Sequence, residues 1–105
     1  MAQATPTIAL VLSQRDHVGV VLDDVSKGDT VEFRDAEGTG YGAIVARNDI
    51  PFGNKIARAP RRKGEQLLRY GQPIGVVTAE VAAGDHIHVH NLTSMLSLQL
   101  DAGKD

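Results

Sequence analysis

Cysteine and tryptophan are both missing from the 105 residues of this chain. The lack of thiols excludes a disulfide framework, a thiolate metal site and a thiol nucleophile, so any metal would rest on His, Asp, Glu or Asn. Aromatic residues are almost as scarce. Two Phe and two Tyr leave few platforms on which bases could stack, which argues against single-stranded nucleic-acid binding. Long apolar runs are also absent. Ile8 to Leu12 is too short for a membrane span or a signal-peptide core, and Met1 to Thr7 carries no basic cluster. A cytoplasmic protein without membrane attachment is the expectation. No stretch keeps a convincing 3.6-residue apolar period, so no secure helix is expected, although Val77 to Ala83 could make a helical turn and Leu92 to Leu100 a short helix or extended arm.

What the chain does have is β-branched runs punctuated by glycine. Thr7–Leu12, His17–Leu22, Thr30–Phe33, Tyr41–Ala46, Lys55–Ala59, Gln66–Tyr70, Ile74–Thr78 and His86–Asn91 look like strands, which predicts an all-β domain of about seven or eight short strands. A chain of this length buries roughly 60–68% of the surface it exposes when unfolded, enough for one core without a staple. The expected organisation is an N-terminal tail over 1–7, a domain over 8–93 and a C-terminal tail over 94–105. Three turns share one form, Lys27-Gly28-Asp29, Lys63-Gly64-Glu65 and Ala83-Gly84-Asp85, with glycine where a positive φ is easiest. They read as a recurring turn solution, a degenerate repeat being the other option. Net charge is −2, but six of the eleven basic residues (Lys55, Arg58, Arg61, Arg62, Lys63, Arg69) fall between 55 and 69 against Glu65 alone. That stretch could dock an acidic surface or steer an anionic substrate.

The most chemically charged segment is GDHIHVHNL, Gly84 to Leu92. His86, His88 and His90 recur with period 2, which on a strand aims three imidazoles at one face while Ile87 and Val89 face the core. Such a face can bind a transition metal, shuttle a proton or hold a carboxylate; the alternative is an exposed polar face. At about 3.3–3.4 Å per residue, adjacent members of the set can reach one ion, whereas His86 and His90 lie too far apart on a straight strand. Two histidines per ion is therefore the expected limit. Asn91 either opens an Asx turn or offers its amide to a substrate hydroxyl. The turn Pro51-Phe52-Gly53 would present Asn54 and Lys55 at a strand start, where a lysine can grip a carboxylate. Arg69 to Gly75 (RYGQPIG) permits a sharp turn, and His17 is as readily structural as functional.

Taken in order, DHVGVVL from Asp16, DIPFGNKIA from Asp49, RYGQPIG from Arg69 and GDHIHVHNL from Gly84 resemble the small domain of the altronate/galactarate dehydratase family, over roughly residues 8 to 93. The resemblance implies a SAF-type β-clip fold. It also implies a small subunit beside a large catalytic subunit, acting on an anionic sugar acid and expelling water to leave a 2-oxo acid. Related small subunits belong to a sulfolactate sulfo-lyase, and SAF domains also serve as non-catalytic carbohydrate-binding or accessory modules. On this likeness His88 and His90, with His86, complete the active site by proton transfer or by ligating a divalent metal such as iron(II), held mainly by the large subunit. Lys55, Asn54, Arg58 and Asn91 would bind substrate. Neither a nucleic-acid nor a membrane partner is implied, and self-association of the isolated chain stays open. One departure stands out: the family turn commonly reads Gly-His-Lys, where this chain has Gly53-Asn54-Lys55. Arg58 also replaces a residue that is often aliphatic.

Overall fold

The computed structural model describes residues 7–88 and 90–94. Nine short strands form, and no helix occurs among the described residues. They are β1 (Thr7–Leu10), β2 (Val18–Val21), β3 (Thr30–Arg34), β4 (Gly40–Val45), β5 (Lys55–Ala57), β6 (Gln66–Arg69), β7 (Gln72–Val77), β8 (His86–Ile87) and β9 (Leu92–Ser94). Six make one sheet in the order β4-β3-β1-β2-β5-β8, and three make a second in the order β6-β7-β9. All pairings are antiparallel except β1 with β3. The all-β expectation holds. The helical turn considered over Val77 to Ala83 does not form: the chain bends after β7 and Val81 makes a lone bridge with Arg61.

The shared turn form organises the fold, and there are four copies rather than three. The segments Leu22–Thr30, Arg47–Lys55, Arg58–Gln66 and Thr78–His86 each run through a bend, a lone bridge residue, a glycine turn and a strand start. The turn glycines, Gly28, Gly53, Gly64 and Gly84, all have φ between 82° and 96°, where a Cβ would be strained. In each copy the N–H after the glycine donates to the carbonyl three residues earlier: Asp29 to Ser26, Asn54 to Pro51, Glu65 to Arg62 and Asp85 to Ala82. The copies also pair off. Val25 and Ile50 exchange two backbone bonds of 2.8 Å, and Arg61 and Val81 exchange bonds of 2.9 and 2.8 Å. Gly28 and Gly64 then bond the carbonyls of Ala46 and Val77, while Gly53 and Gly84 bond those of Val21 and Ala57. Segment β2 to β5 thus repeats as β5 to β8, with β5 closing one half and opening the next.

Two cores follow from this division. One gathers Val21, Val25, Val31, Phe33, Ile50 and Ile56 with β1 residues, and the other gathers Val18, Ala57, Leu67, Val77, Val81 and Ile87. Period-2 alternation on β5 sends Ile56 to the first core and Ala57 to the second. His17 ties the sheets together. Its N–H donates to Leu68 O and its Nδ1 accepts the Leu68 N–H, both at 3.0 Å. The ring is therefore neutral, with its proton on Nε2. Burial, followed by the charge of Arg61, lowers its pKa.

Two predictions arise from this packing. A Cβ on Gly19 would lie 2.9 Å from both Ala9 Cβ and a Phe33 ring carbon, so Gly19→Ala is expected to destabilise the fold by about 1–3 kcal/mol through overpacking. A urea midpoint unchanged from wild type would contradict that packing. Because the folded-state pKa of His17 is lowered, the neutral form is favoured by folding. Its contribution is full above the unfolded value near 6.5 and declines as pH falls through the folded one. Stability measured between about pH 7 and about pH 5.5 should fall less steeply in His17→Asn, which keeps an acceptor for Leu68 but cannot titrate. Equal slopes would rule out His17 as a source of the pH dependence.

Candidate functional site

The histidine segment is not the single strand that its spacing predicts. Only His86 and Ile87 pair, as β8 against β5. The chain then turns, with the Asn91 N–H closing onto His88 O at 3.0 Å. Asn91 is the cause. It is buried, its Oδ1 accepts the His88 N–H at 3.0 Å, and its Nδ2 donates to His86 O at 2.8 Å. An amide that satisfies backbone at both ends of a turn favours the turn over continued pairing. Val89, expected in the core, lies outside the described residues. Because the strand does not stay straight, the rings come closer than its spacing would allow: the His86 and His90 ring centroids are 5.2 Å apart, and those of His86 and His88 are 5.8 Å apart. All three imidazoles gather because the backbone reverses.

His86 is the anchored member of the three. Its N–H donates to Asn48 Oδ1 at 2.8 Å, its carbonyl takes the Asn91 amide, and its backbone is in register with Ile56. The ring nitrogen Nε2 lies 3.2 Å from Asn54 Oδ1, while Asn54 Nδ2 faces Phe52 O at 3.5 Å. With the amide oriented that way, Nε2 donates and Nδ1 is the basic nitrogen. Burial, then the neighbouring His90 and His88, lowers the His86 pKa, so at neutral pH this imidazole can accept a proton. His88 and His90 are exposed. Lys55 starts β5 in register with Ile87, half-buried, and burial followed by the charge of Arg69 lowers its pKa. It belongs to none of the ion pairs among the described residues.

Asn54 is free for this contact because of the residue three before it. In the other three turns the corresponding acid caps the N–H at that position: Asp29 Oδ2 with Ser26, Glu65 Oε1 with Arg62 and Asp85 Oδ2 with Ala82, at 2.8, 2.6 and 2.8 Å. In the second turn that position is Pro51, which has no N–H to cap. The side chain at 54 is thereby released from the turn and turned to His86. Asn48, which holds the His86 backbone, escaped the sequence reading; its signal was its place two residues before a turn bridge, visible only once the fourth turn is recognised.

His86 also lines an open cleft of about 490 Å³ with Asp24, Ser26, Asp49, Ile50 and Pro51. The structure does not bring Arg58 to this place. It lines a separate cleft with Asp16, His17 and Tyr41, sharing no lining residue with the first. Among the described residues no three His, Asp or Glu side chains are placed to hold a metal ion.

Comparison with known proteins supplies the wider frame. The profile of the altronate/galactarate dehydratase SAF domain matches residues 7–95. The chain is 35% identical over 82 residues to altronate dehydratase of Escherichia coli (strain K12) and 33% identical over 87 residues to that of Bacillus subtilis (strain 168). Those alignments cover 78% and 82% of this chain but only 15% and 16% of the dehydratases. It is also 33% identical over 48 residues to (2R)-sulfolactate sulfo-lyase subunit alpha of Paracoccus pantotrophus, covering 46% of this chain and 72% of that subunit.

If Asn54 sets the His86 tautomer, Asn54→Ala should shift the ring from predominantly Nε2–H toward a mixture, read from the imidazole ¹⁵N shifts. Unaltered shifts would show that the 3.2 Å contact carries no weight.

Proposed function

Since this chain belongs to the altronate/galactarate dehydratase SAF domain family, we propose that it is the small subunit of a two-subunit sugar-acid dehydratase and contributes imidazoles to an active site that a large catalytic subunit completes. The observation that carries the reading is the gathering of three imidazoles around an anchored His86. His86 sits on β8, an edge strand of its sheet among the described residues, and His88 and His90 are exposed in the turn that follows, where a second chain can cover them. The relatives named as dehydratases are several times longer than the matched segment, so most of the catalytic apparatus lies beyond what this chain resembles.

The reaction is an elimination. A base removes the proton α to the substrate carboxylate, the C–O bond at the β-carbon breaks, hydroxide leaves with a proton as water, and the enol rearranges to a 2-oxo acid. Neutral His86, with Nδ1 unengaged, suits proton abstraction, and an exposed imidazole at 88 or 90 can donate to the leaving oxygen. The Lys55 ammonium balances the substrate carboxylate as a point charge. Asn91 serves the site by holding the turn rather than by meeting substrate, since both ends of its amide are engaged. The alternative to proton transfer at these two positions is ligation: imidazoles suit iron(II) or a similar divalent ion, and His88 and His90 would then add two nitrogen ligands to one held mainly by the large subunit. Such an ion would stabilise the enediolate charge.

The coverage of 72% of the sulfo-lyase subunit alpha favours a second reading, with the same base and sulfite as the leaving group. Reconstitution with the large subunit decides between them, using altronate, galactarate and sulfolactate as substrates. The double substitution His88→Ala, His90→Ala is expected to lower kcat about 10²- to 10⁴-fold, the range for a lost acid or base. An unimpaired double variant would leave an accessory, non-catalytic role for the domain. Full turnover by this chain alone would remove the need for a partner.

A further inference from the structure

The cleft that holds Arg58 has a chemistry of its own. It is an open space of about 440 Å³ between β4, where Tyr41 to Ile44 line it, and the loop Gln14 to His17. Arg58 is clamped there from one side. Its backbone N–H donates to His17 O, and its Nη1 donates to Gln14 O at 2.8 Å and Asp16 O at 3.1 Å. The guanidinium carbon lies 5.4 Å from the centroid of the Tyr41 ring, and Tyr41 is itself fixed by its hydroxyl on Asp35 Oδ2 at 2.8 Å. With both Nη1 protons engaged, the Nε–Nη2 edge remains, and it has no partner among the described residues. That edge presents two parallel N–H groups, the geometry that a planar carboxylate accepts bidentately.

The other groups on the wall agree. His17 uses Nδ1 to accept the Leu68 N–H, so its second nitrogen is a donor, and Nε2 has no partner among the described residues. Arg15 adds a second cation at the rim. The one acid lining the cleft, Asp16, is buried and held by three amides: Oδ2 accepts from Leu12 and Ser13 at 2.8 and 3.2 Å, and Oδ1 from Gly71 at 3.3 Å. Its lone pairs are turned into the loop, so the cleft offers donors rather than acceptors.

We propose that this cleft is a second ligand site, which binds the carboxylate of a small organic acid on the Nε–Nη2 edge of Arg58 with the His17 Nε2–H beside it. The site is independent of the His86 cluster and of the dehydratase reading, since the two clefts share no lining residue. Arg58 is preorganised by the carbonyls and the Tyr41 ring, so binding need not order a free side chain.

The test uses the full chain, ¹⁵N-labelled, titrated separately with malonate and inorganic phosphate at constant ionic strength. Saturable shifts from malonate at the amides of His17, Tyr41, Ala43 and Arg58 and at Arg58 Nε–H are expected. Asn54, Lys55 and His86 should stay unmoved. Arg58→Lys keeps the charge but loses the fork, and is expected to weaken malonate about tenfold or more. Absence of saturable shifts at these residues, or shifts confined to the His86 cluster, would overturn the site. Phosphate binding as tightly as malonate would overturn the carboxylate assignment. The wild-type shift map stands on its own should Arg58→Lys fail to fold.

Discussion

Everything in this fold hangs on the mutual backbone pairing of its glycine turns. Short strands of two to six residues make few ladder bonds each, and with so few aromatic side chains the cores consist mainly of aliphatic residues. The four turns compensate by bonding one another. Val25 with Ile50, and Arg61 with Val81, form two reciprocal clasps, and each turn glycine reaches a further carbonyl across the fold. In the first clasp the side chains cross as well: Asp24 caps the Phe52 N–H and Asp49 the Lys27 N–H, each at 2.8 Å. These bonds satisfy the turn amides that would otherwise be orphaned where the chain dips inward. They also fix the relative placement of β3, β5, β6 and β8, which all start directly after a turn.

Repetition of a structural device makes its one exception informative. In three turns an acid caps the amide three residues before it. At the second, Pro51 removes that amide, so the side chain at 54 can serve another purpose without leaving a buried donor unmet. The released side chain belongs to the turn that precedes β5, and β5 pairs with β8, which places Asn54 against His86. A histidine at 54, as the family turn commonly has, would meet the same geometry with an imidazole in place of an amide. The two groups differ in that only imidazole titrates near neutrality, whereas the amide holds one fixed donor and acceptor pattern.

Much of this was legible in the chain, because glycine and period-2 alternation act locally. The strands built from Thr30, Gln66 and Ile74 fell where the β-branched and aliphatic runs placed them, and the all-β class followed from the missing helical period. The fourth turn was hidden because its acid is an asparagine and its first turn residue a proline, so the pattern of residue types breaks where the backbone pattern does not. The histidine segment misled for a different reason. Period 2 is a statement about strands, and it held only through Ile87. Beyond that, Asn91 offered backbone groups a local alternative to the ladder, and the same three residues came together through a turn. Arg58 was grouped with Lys55 as a substrate ligand on the family likeness, but carbonyls from the distant segment Gln14 to Asp16 draw its guanidinium into another cleft.

The histidine cluster is well positioned, and topology explains why. His86 is held by the Asn48 side chain, the Asn91 side chain and the β5 backbone, all within the clasped framework. His88 and His90 follow β8 in the turn and are exposed. A two-residue edge strand has backbone groups on its outer side, and no further strand meets them among the described residues. An imidazole rooted in a rigid edge needs little ordering of its own before a ligand reaches it.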